Sequence, residues 1–437
     1  MTTAEVVRRP RGGLVRHRDF RWLWFGDTIS QVGTQVTGIA LPLVAVTTLH
    51  ATTFQVGLLT ACEFAAFLLV GLPAGAWVDR VRRRPVMIGT DLLRALLLGS
   101  LPVAAAAGVL TLYQLYAVAL VHGICTVFFD VAYQSYLPSL VTRDELVEGN
   151  AKLQASQSVA QVGGPAFGGL LVGAFTAPYA LVADAVSFVV SAGSIRRIGA
   201  AEPAPDRPEV PNLRREIGEG LRFVLRHPIL RMIAGCTGTF NLFSGASGPI
   251  AVVFLVRDLG VSPGLLGVLF SAGSVGGILG ALIAARVAHR IGSARASWVP
   301  LMVTGPLGLL TALSFAGPGL VLFAAGTFAT SIGTVVYNVN QVSFRQALCP
   351  PRLLGRMNAT MRFLVWGTLP IGGLLGGALG DAFGNRAALW VVVGGQAVAV
   401  VWVLASPLRR MRDLPPYEAV EEMLERTGEP AAPIEAG

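Results

Sequence analysis

Twelve apolar runs, each near the roughly 20 residues that cross a bilayer as a helix, constrain this chain more than any other feature. They fall at about 22–48, 54–78, 86–107, 112–136, 147–173, 178–198, 228–256, 263–288, 297–316, 319–343, 356–380 and 387–406. In hydrocarbon every backbone N–H and C=O must find its partner within the segment, so runs of this length become helices. The expected fold class is an all-α polytopic membrane protein with twelve transmembrane helices. Charged residues make up only 14% of the 437, against roughly 25% in soluble domains.

The formal net charge is +9. In a soluble chain that would suggest nucleic acid, but here the basic residues sit in short gaps between apolar runs, where they set orientation. One set of alternate connections holds Arg80 to Arg84, Arg143, Lys152, the stretch from Arg196 to Arg231, Arg290, Arg295, Arg345, Arg352 and Arg356, together with both termini. The other set holds only Arg257 and Arg386. The pattern predicts a multi-pass protein of the cell membrane with both ends cytoplasmic. A basic N-terminus precedes the first run without a cleavage-site pattern, so that helix is expected to be retained.

Enzyme classes find little support. Lys152 is the only lysine and no Gly-rich loop precedes it, which excludes a P-loop; HExxH and GxSxG are absent. Cys62, Cys125, Cys236 and Cys349 have no ligand spacing and read as small apolar fillers. No cofactor, metal, nucleotide or nucleic-acid partner is expected, and an ion gradient is the natural energy source.

Residues 199–227 break the apolar pattern. Glu202 to Pro208 form a polar, proline-rich linker, and Leu213, Ile217, Leu221, Val224 and Leu225 then recur at helical spacing among charged residues. This predicts an amphipathic helix on the cytoplasmic membrane surface. It divides the chain into a cytoplasmic segment (1–21), a six-helix bundle (22–198), the linker (199–227), a second six-helix bundle (228–406) and a polar tail (407–437). The halves repeat weakly. Asp79-Arg80-Val81 corresponds to His289-Arg290-Ile291 at an offset of 210, and Gly149-Asn150-Ala151 to Met357-Asn358-Ala359 at 208. Such repeats are common in transporters.

Between the second and third runs stands Gly75-x-x-x-Asp79-Arg80-x-x-Arg83-Arg84. This spacing resembles the loop between helices 2 and 3 of the major facilitator superfamily, although Arg82 stands where that family often has glycine. Leu137-Pro138-Ser139-Leu140-Val141, Asn150-Ala151 and Gly164-Pro165-Ala166-Phe167-Gly168-Gly169 resemble its exporter branch, which includes macrolide efflux pumps and the enterobactin exporter. So does the segment from Gly220 to Pro228. The resemblance covers roughly residues 18–406. It implies two six-helix bundles that rock about a central cavity, with Gly75, Asp79, Arg80, Arg83 and Arg84 as a conformational switch. Asp79 is expected to meet the region from Arg356 to Arg362 when the cytoplasmic gate closes, and Gly75 to let helices approach.

Charges inside membrane helices are costly and mark functional or structural sites. The first half carries Asp27, Glu63, Asp91, Arg94, Asp130 and Asp184 within its runs. Asp91-x-x-Arg94 places opposite charges on one helical face and reads as a structural pair. The resemblance puts helices 1 and 4 on the cavity, which makes Asp27 and Asp130 the leading proton carriers; Glu63 is the third. Ala119-Leu120-Val121-His122-Gly123 occupies the place where many proton antiporters of the family carry an arginine, and His122 reads as packed. In the second half, Phe240, Asn241, Tyr337, Asn338, Asn340 and Gln341 are substrate-cavity candidates, with interhelical hydrogen bonding as the alternative. Gly164, Pro165, Gly168 and Gly169 read as helix-packing residues.

The expected function is export of a small organic compound by alternating access, as a proton antiporter acting as a monomer. Uptake by the same fold, or a membrane sensor or scaffold that transports nothing, are the alternatives.

Overall fold

The computed structural model describes residues 14–78, 80–142, 145–200, 202, 213–349 and 354–413. Every regular element among them is helical, and twelve stretches are long and apolar enough to cross a membrane. The first six spans are α1 (Arg18–Leu43), α2 (Thr53–Val78), α3 (Arg83–Ala106), α4 (Leu112–Leu140), α5 (Leu146–Phe175) and α6 (Ala177–Arg196). The linker helix is α7 (Leu213–Arg226), followed by α8 (Pro228–Val253) and α9 (Pro263–Ile291). The ninth span is broken into α10 (Ser293–Ala296), α11 (Val299–Thr304) and α12 (Leu310–Leu313), and the tenth is α13 (Leu320–Leu348). The eleventh is α14 (Leu354–Trp366) and α15 (Thr368–Phe383); the twelfth is α16 (Asn385–Val398) and α17 (Val401–Leu404).

The breaks have local causes. Pro306 follows Gly305 and opens a 3-10 turn, Pro306–Leu309, that divides the ninth span, because proline can neither donate to the helical ladder nor avoid the preceding turn. In the eleventh span the break at Gly367 lies three residues before Pro370, which cannot bond the carbonyl four positions back.

The internal repeat is written into the backbone. His17 caps α1, its Nδ1 accepting from Phe20 N at 3.1 Å; His227 caps α8, its Nδ1 accepting from Ile229 N and Leu230 N at 3.2 and 3.3 Å. Both helices run on into a five-residue π turn, Val44–Thr48 and Phe254–Asp258. Each turn leads to a residue with positive φ, His50 at 52° and Gly260 at 65°. All these positions keep the offset of 210. Thr176 (φ 70°) and Gly384 (φ 81°) form the sharp corners before α6 and α16 at an offset of 208.

Packing divides the described residues into two units. The first holds residues up to His50, Leu69 to Glu202 and Pro263 to Val268; the second holds Ala51 to Leu68, Leu213 to Ser262 and Leu269 onwards. Division by packing thus differs from division by chain order in two places: the first part of α2 goes with the second unit, and the first part of α9 with the first.

In the first unit α1 lies against α5 and α6, and α3 against α4 and α6. The approaches of α1 are close because glycines face them. A Cβ on Gly33 would run into Asp184 and Ser187, one on Gly164 would stand 2.6 Å from Gln35 Cγ, and one on Gly168 would stand 3.0 Å from Val36 Cα. Thr37 Oγ1 donates across to Asp184 Oδ2, and Ser187 Oγ to Asp184 Oδ1 at 2.8 Å. The second unit uses the same device. A Cβ on Gly245 would stand 3.1 Å from Leu369 Cα, and one on Gly372 3.1 Å from Ala246 N. Its core is filled by Ile229, Ile233, Phe344, Met357, Met361 and Val403.

The His227 cap has a pH consequence. Burial lowers its imidazole from the ordinary 6.5 to about 4, and its Nδ1 must stay unprotonated to accept. Unfolding restores the ordinary value, so this stabilisation is full above pH 6.5 and is lost as pH falls from 6.5 towards 4. At about 1.4 kcal/mol per unit, a loss of about 2–3 kcal/mol follows. His227→Asn keeps an accepting cap without a titrating group. Thermal unfolding of the purified protein between pH 7 and 4 should show a shallower acid decline in this variant than in the parent.

Candidate functional site

The acid of α1 opens onto a cavity of about 440 Å³ within the first unit, lined by Asp27, Gln31, Tyr133, Asn150, Ala151, Leu153, Gln154 and Gln157. Asp27 is only 6% exposed. Gln31, one turn on, donates to its Oδ1 at 3.4 Å. Tyr133 comes from α4, and α5 contributes Asn150, Gln154 and Gln157 at i, i+4 and i+7, which puts three amides on one face. The α5 wall is fixed to α1 by Trp24 Nε1 donating to Ser156 Oγ at 2.8 Å and by Thr28 Oγ1 donating to the same oxygen at 3.0 Å. The result is one carboxylate, one phenol and several neutral amides around a space large enough for an organic group.

Asp130 stands nearly one turn before Tyr133 on α4, half-buried, within electrostatic reach of Asp27. The structure therefore brings these two acids together around Tyr133. Glu63 of α2 belongs to the second unit and is half-buried. Deeper in the first unit, Arg94 closes an ion pair with Asp91.

The amide and aromatic candidates of the second unit are engaged with one another's helices or with their own. Tyr337 is 3% exposed, and its hydroxyl is 2.6 Å from Thr237 Oγ1. It is a core residue, and Phe240 packs against the same core. Asn241 Nδ2 donates to Val365 O at 3.1 Å and so ties α8 to α14. Asn340 Nδ2 donates back to Val336 O at 2.8 Å, and Gln341 Nε2 to Asn338 Oδ1 at 2.9 Å. Of this group Asn338 alone is exposed. A more open aromatic set lies nearby: Phe67 and Trp366 meet at 4.9 Å between ring centroids, with the Arg362 guanidinium 5.3 Å from the Trp366 ring.

In the loop between α2 and α3, Asp79 lies outside the described residues, and its expected approach to the region from Arg356 to Arg362 lies outside them with it. Among the described residues nothing lies within 4 Å of where a Cβ on Gly75 would stand. Arg80 is exposed. Arg83 and Arg84 turn instead to the linker. Their backbone N–H groups donate to the two carboxylate oxygens of Glu202, the second at 3.2 Å, and Arg84 Nη2 donates to Arg196 O at 2.6 Å. Asp19 does the same at the end of α6, accepting from Gly199 N and Ala200 N at 3.0 and 2.9 Å.

Two sets of residues escaped the sequence reading. The α5 amides were legible in principle, since Asn150, Gln154 and Gln157 share a helical face. Glu202 was not, because 119 residues separate it from the helix start it caps. A further correspondence joins the glycines at the ends away from the arginine loop. In the second unit a Cβ on Gly57 would stand 3.0 Å from Gly377 Cα and against Gly373 O. In the first, a Cβ on Gly169 would stand 3.2 Å from both Gly264 Cα and Gly267 Cα, and Gly267 faces Pro165 O. These are equivalent seams of the repeat.

Glu202→Ala would strip the cap from α3 and leave the N–H groups of Arg83 and Arg84 without their acceptor. Loss of such a cap costs about 0.5–2 kcal/mol. A lowered thermal midpoint, with faster thiol labelling of a cysteine placed at position 82, is the expected outcome.

Residues 13–427 match the family described as transmembrane secretion effector. The chain is 29% identical over 405 residues to the multidrug efflux pump Tap of Mycolicibacterium fortuitum, which covers 89% of this chain and 95% of that one. It is 24% identical over 420 residues to the enterobactin exporter EntS of Escherichia coli O1:K1, covering 92% and 95%. In fold it is similar to the nucleoside transporter NupG, with a TM-score of 0.73 at 12% identity over 90% of this chain and 99% of that one. It is also similar to a bacterial homologue of the iron transporter ferroportin in an inward-facing state, with a TM-score of 0.71 at 16% identity over 89% and 98%. Twelve apolar helices, a backbone repeat at 208–210 residues and a match over nearly the whole chain lead to one conclusion: the protein is a multi-pass membrane transporter of the major facilitator superfamily, in its transmembrane secretion effector family.

Proposed function

We propose that this transporter exports a small organic compound across the cytoplasmic membrane in exchange for protons, with Asp27 as the proton carrier at the substrate cavity. The observation that carries the reading is the Asp27 cavity itself. A carboxylate retained in a membrane helix marks an ion or substrate path, and this one faces Tyr133, Gln31 and the amides of α5. Asp130 stands close enough to share the role. A proton on Asp27 and an organic substrate in the same space are natural competitors, which is the simplest form of exchange.

The efflux direction rests on the relatives, since Tap is named a multidrug efflux pump and EntS an enterobactin exporter. Neutral amides with an apolar wall suit an amphiphilic organic compound. Alternating access needs surfaces that can part and reclose. The glycine seams at Gly57 with Gly373 and Gly377, and at Gly267 with Pro165 and Gly169, are smooth enough to do so. The basic connections hold the arginine loop and both termini on the cytoplasmic side, and the protein works as a single chain.

Two experiments test this reading. In cells carrying the protein, accumulation of a compound panel with and without protonophore should identify an exported compound, and Asp27→Asn should abolish its proton-driven efflux. Normal pumping by Asp27→Asn, Asp130→Asn and the double variant, still collapsed by protonophore, would move the proton elsewhere, to Glu63 first. For orientation, a membrane-impermeant thiol reagent applied to intact cells should modify Val109→Cys and spare Arg82→Cys in a background lacking the four native cysteines. The reverse pattern would invert the topology.

A further inference from the structure

The charge pair on α3 has surroundings that a packing element does not need. Asp91 is fully buried and Arg94 is 4% exposed. A buried ion pair is often no more stabilising than well-packed apolar residues of the same volume. The Arg94 guanidinium lies between two rings, 4.4 Å from the centroid of Phe129 on α4 and 4.2 Å from that of Phe188 on α6. With both faces covered, its N–H groups can point only along the seam between them. Nη2 reaches Asp91 Oδ1, while Nε has no acceptor.

Three more buried polar atoms near it also lack partners: Asp91 Oδ2, Ser191 Oγ and His122 Nε2. Ser191 of α6 lies within interacting distance of the Asp91 carboxyl group. The His122 ring of α4 lies 5.8 Å from Phe188. Buried polar groups in folded proteins are nearly always paired, and several converging on one place are the usual setting for internal water. The four orphaned atoms come from α3, α4 and α6, and Arg94 and His122 both lie against the Phe188 ring.

The seam is coupled electrostatically to the cavity through Asp27. Asp27 of α1 is within electrostatic reach of Asp91 as well as of Asp130 on α4. On α6, Asp184 is within reach of both Asp91 and Arg94 and is held by Thr37 and Ser187. The charged and titratable groups around the pair are Asp27 from α1, His122 and Cys125 from α4 and Asp184 from α6, with Asp130 and Tyr133 of α4 interacting with Asp27 in turn. Arg94 is the one cation among them.

We propose that Asp91, Arg94, Ser191 and His122 hold an internal water chain that extends the proton path from Asp27, and that Asp91 is its inner station. The step is a proton transfer alone. The carboxylic acid of Asp27 gives its proton to a water, and the water chain delivers one to the carboxylate of Asp91, whose link to Arg94 then slackens. Return of the proton to Asp27 restores the ion pair, and no other bond changes. This rests on the reading of Asp27 as proton carrier.

The test uses the full-length protein in lipid nanodiscs and protons as the probe. Difference infrared spectra are recorded across a pH jump, in ordinary water and in water labelled with oxygen-18. Asp91→Asn combined with Arg94→Gln removes both charges together, so no buried charge is stranded. The expected result is loss of one pH-dependent carboxyl C=O band in this double variant, and a shift of the same band in Asp27→Asn. An isotope-sensitive O–H band should be present in the parent and lost in Ser191→Val, which fills the seam and leaves every charge in place. Carboxyl bands unchanged in the double variant would overturn Asp91 as a station. If the double variant does not fold, Ser191→Val decides, and an unchanged water band there overturns the chain. The underlying reading fails separately, in transport, if Asp27→Asn pumps normally.

Discussion

Helices surrounded by lipid gain almost nothing from hiding apolar side chains against one another, since the lipid is as apolar as they are. What holds this chain together is how closely its backbones approach, and the fold depends on glycine wherever they do. Gly33 makes room for Asp184 and Ser187, Gly164 and Gly168 for α1, and Gly372 for α8. Each contact brings dispersion along a helix face and allows hydrogen bonds to cross it, as Thr37 to Asp184 does. For Asp184 dense packing and intramembrane polarity are thus one arrangement, because the close approach of α1 brings Thr37 to its carboxyl group.

The two halves share their backbone and differ in chemistry. Caps, π turns and left-handed corners recur at offsets of 208–210, yet ionisable groups inside the spans concentrate in the first unit. There Asp130, Asp27, Asp91, Arg94, His122 and Asp184 are linked pair by pair, each within electrostatic reach of at least one other. The second unit turns its polar side chains to bracing, with Asn241 on Val365 and Tyr337 on Thr237. A repeat of this kind lets one half specialise in charge while the other supplies a matching frame.

Much of this was legible in the sequence. Run lengths and charge alternation mark the twelve spans, and the periodicity from Leu213 to Leu225 marks the linker helix that the structure places at Leu213–Arg226. Side-chain direction was much less legible. The spans are apolar nearly all round, so composition does not say which face a polar residue occupies; rotation about the helix axis is set by packing. Tyr337 reads as a cavity residue for that reason and is a core residue in the structure. Glu202 belongs to a stretch whose composition says only linker, and its role appears when the start of α3 is brought to it. His17 and His227 were missed because a histidine cap has no spacing signature.

The exchange of segments between the two units bears on how the chain is made. Gly57 on α2 finds its tight partners at Gly373 and Gly377, more than 300 residues later in synthesis. At about 5–20 residues per second, that face of α2 stays without its lasting neighbour for about 15–60 s. Through that interval a glycine-smooth strip is open to lipid and to any other helix nearby. The insertion machinery must therefore shield a nearly complete protein, and a ribosome that stalls before Gly373 leaves a product whose second helix is unclaimed, a natural mark for membrane quality control.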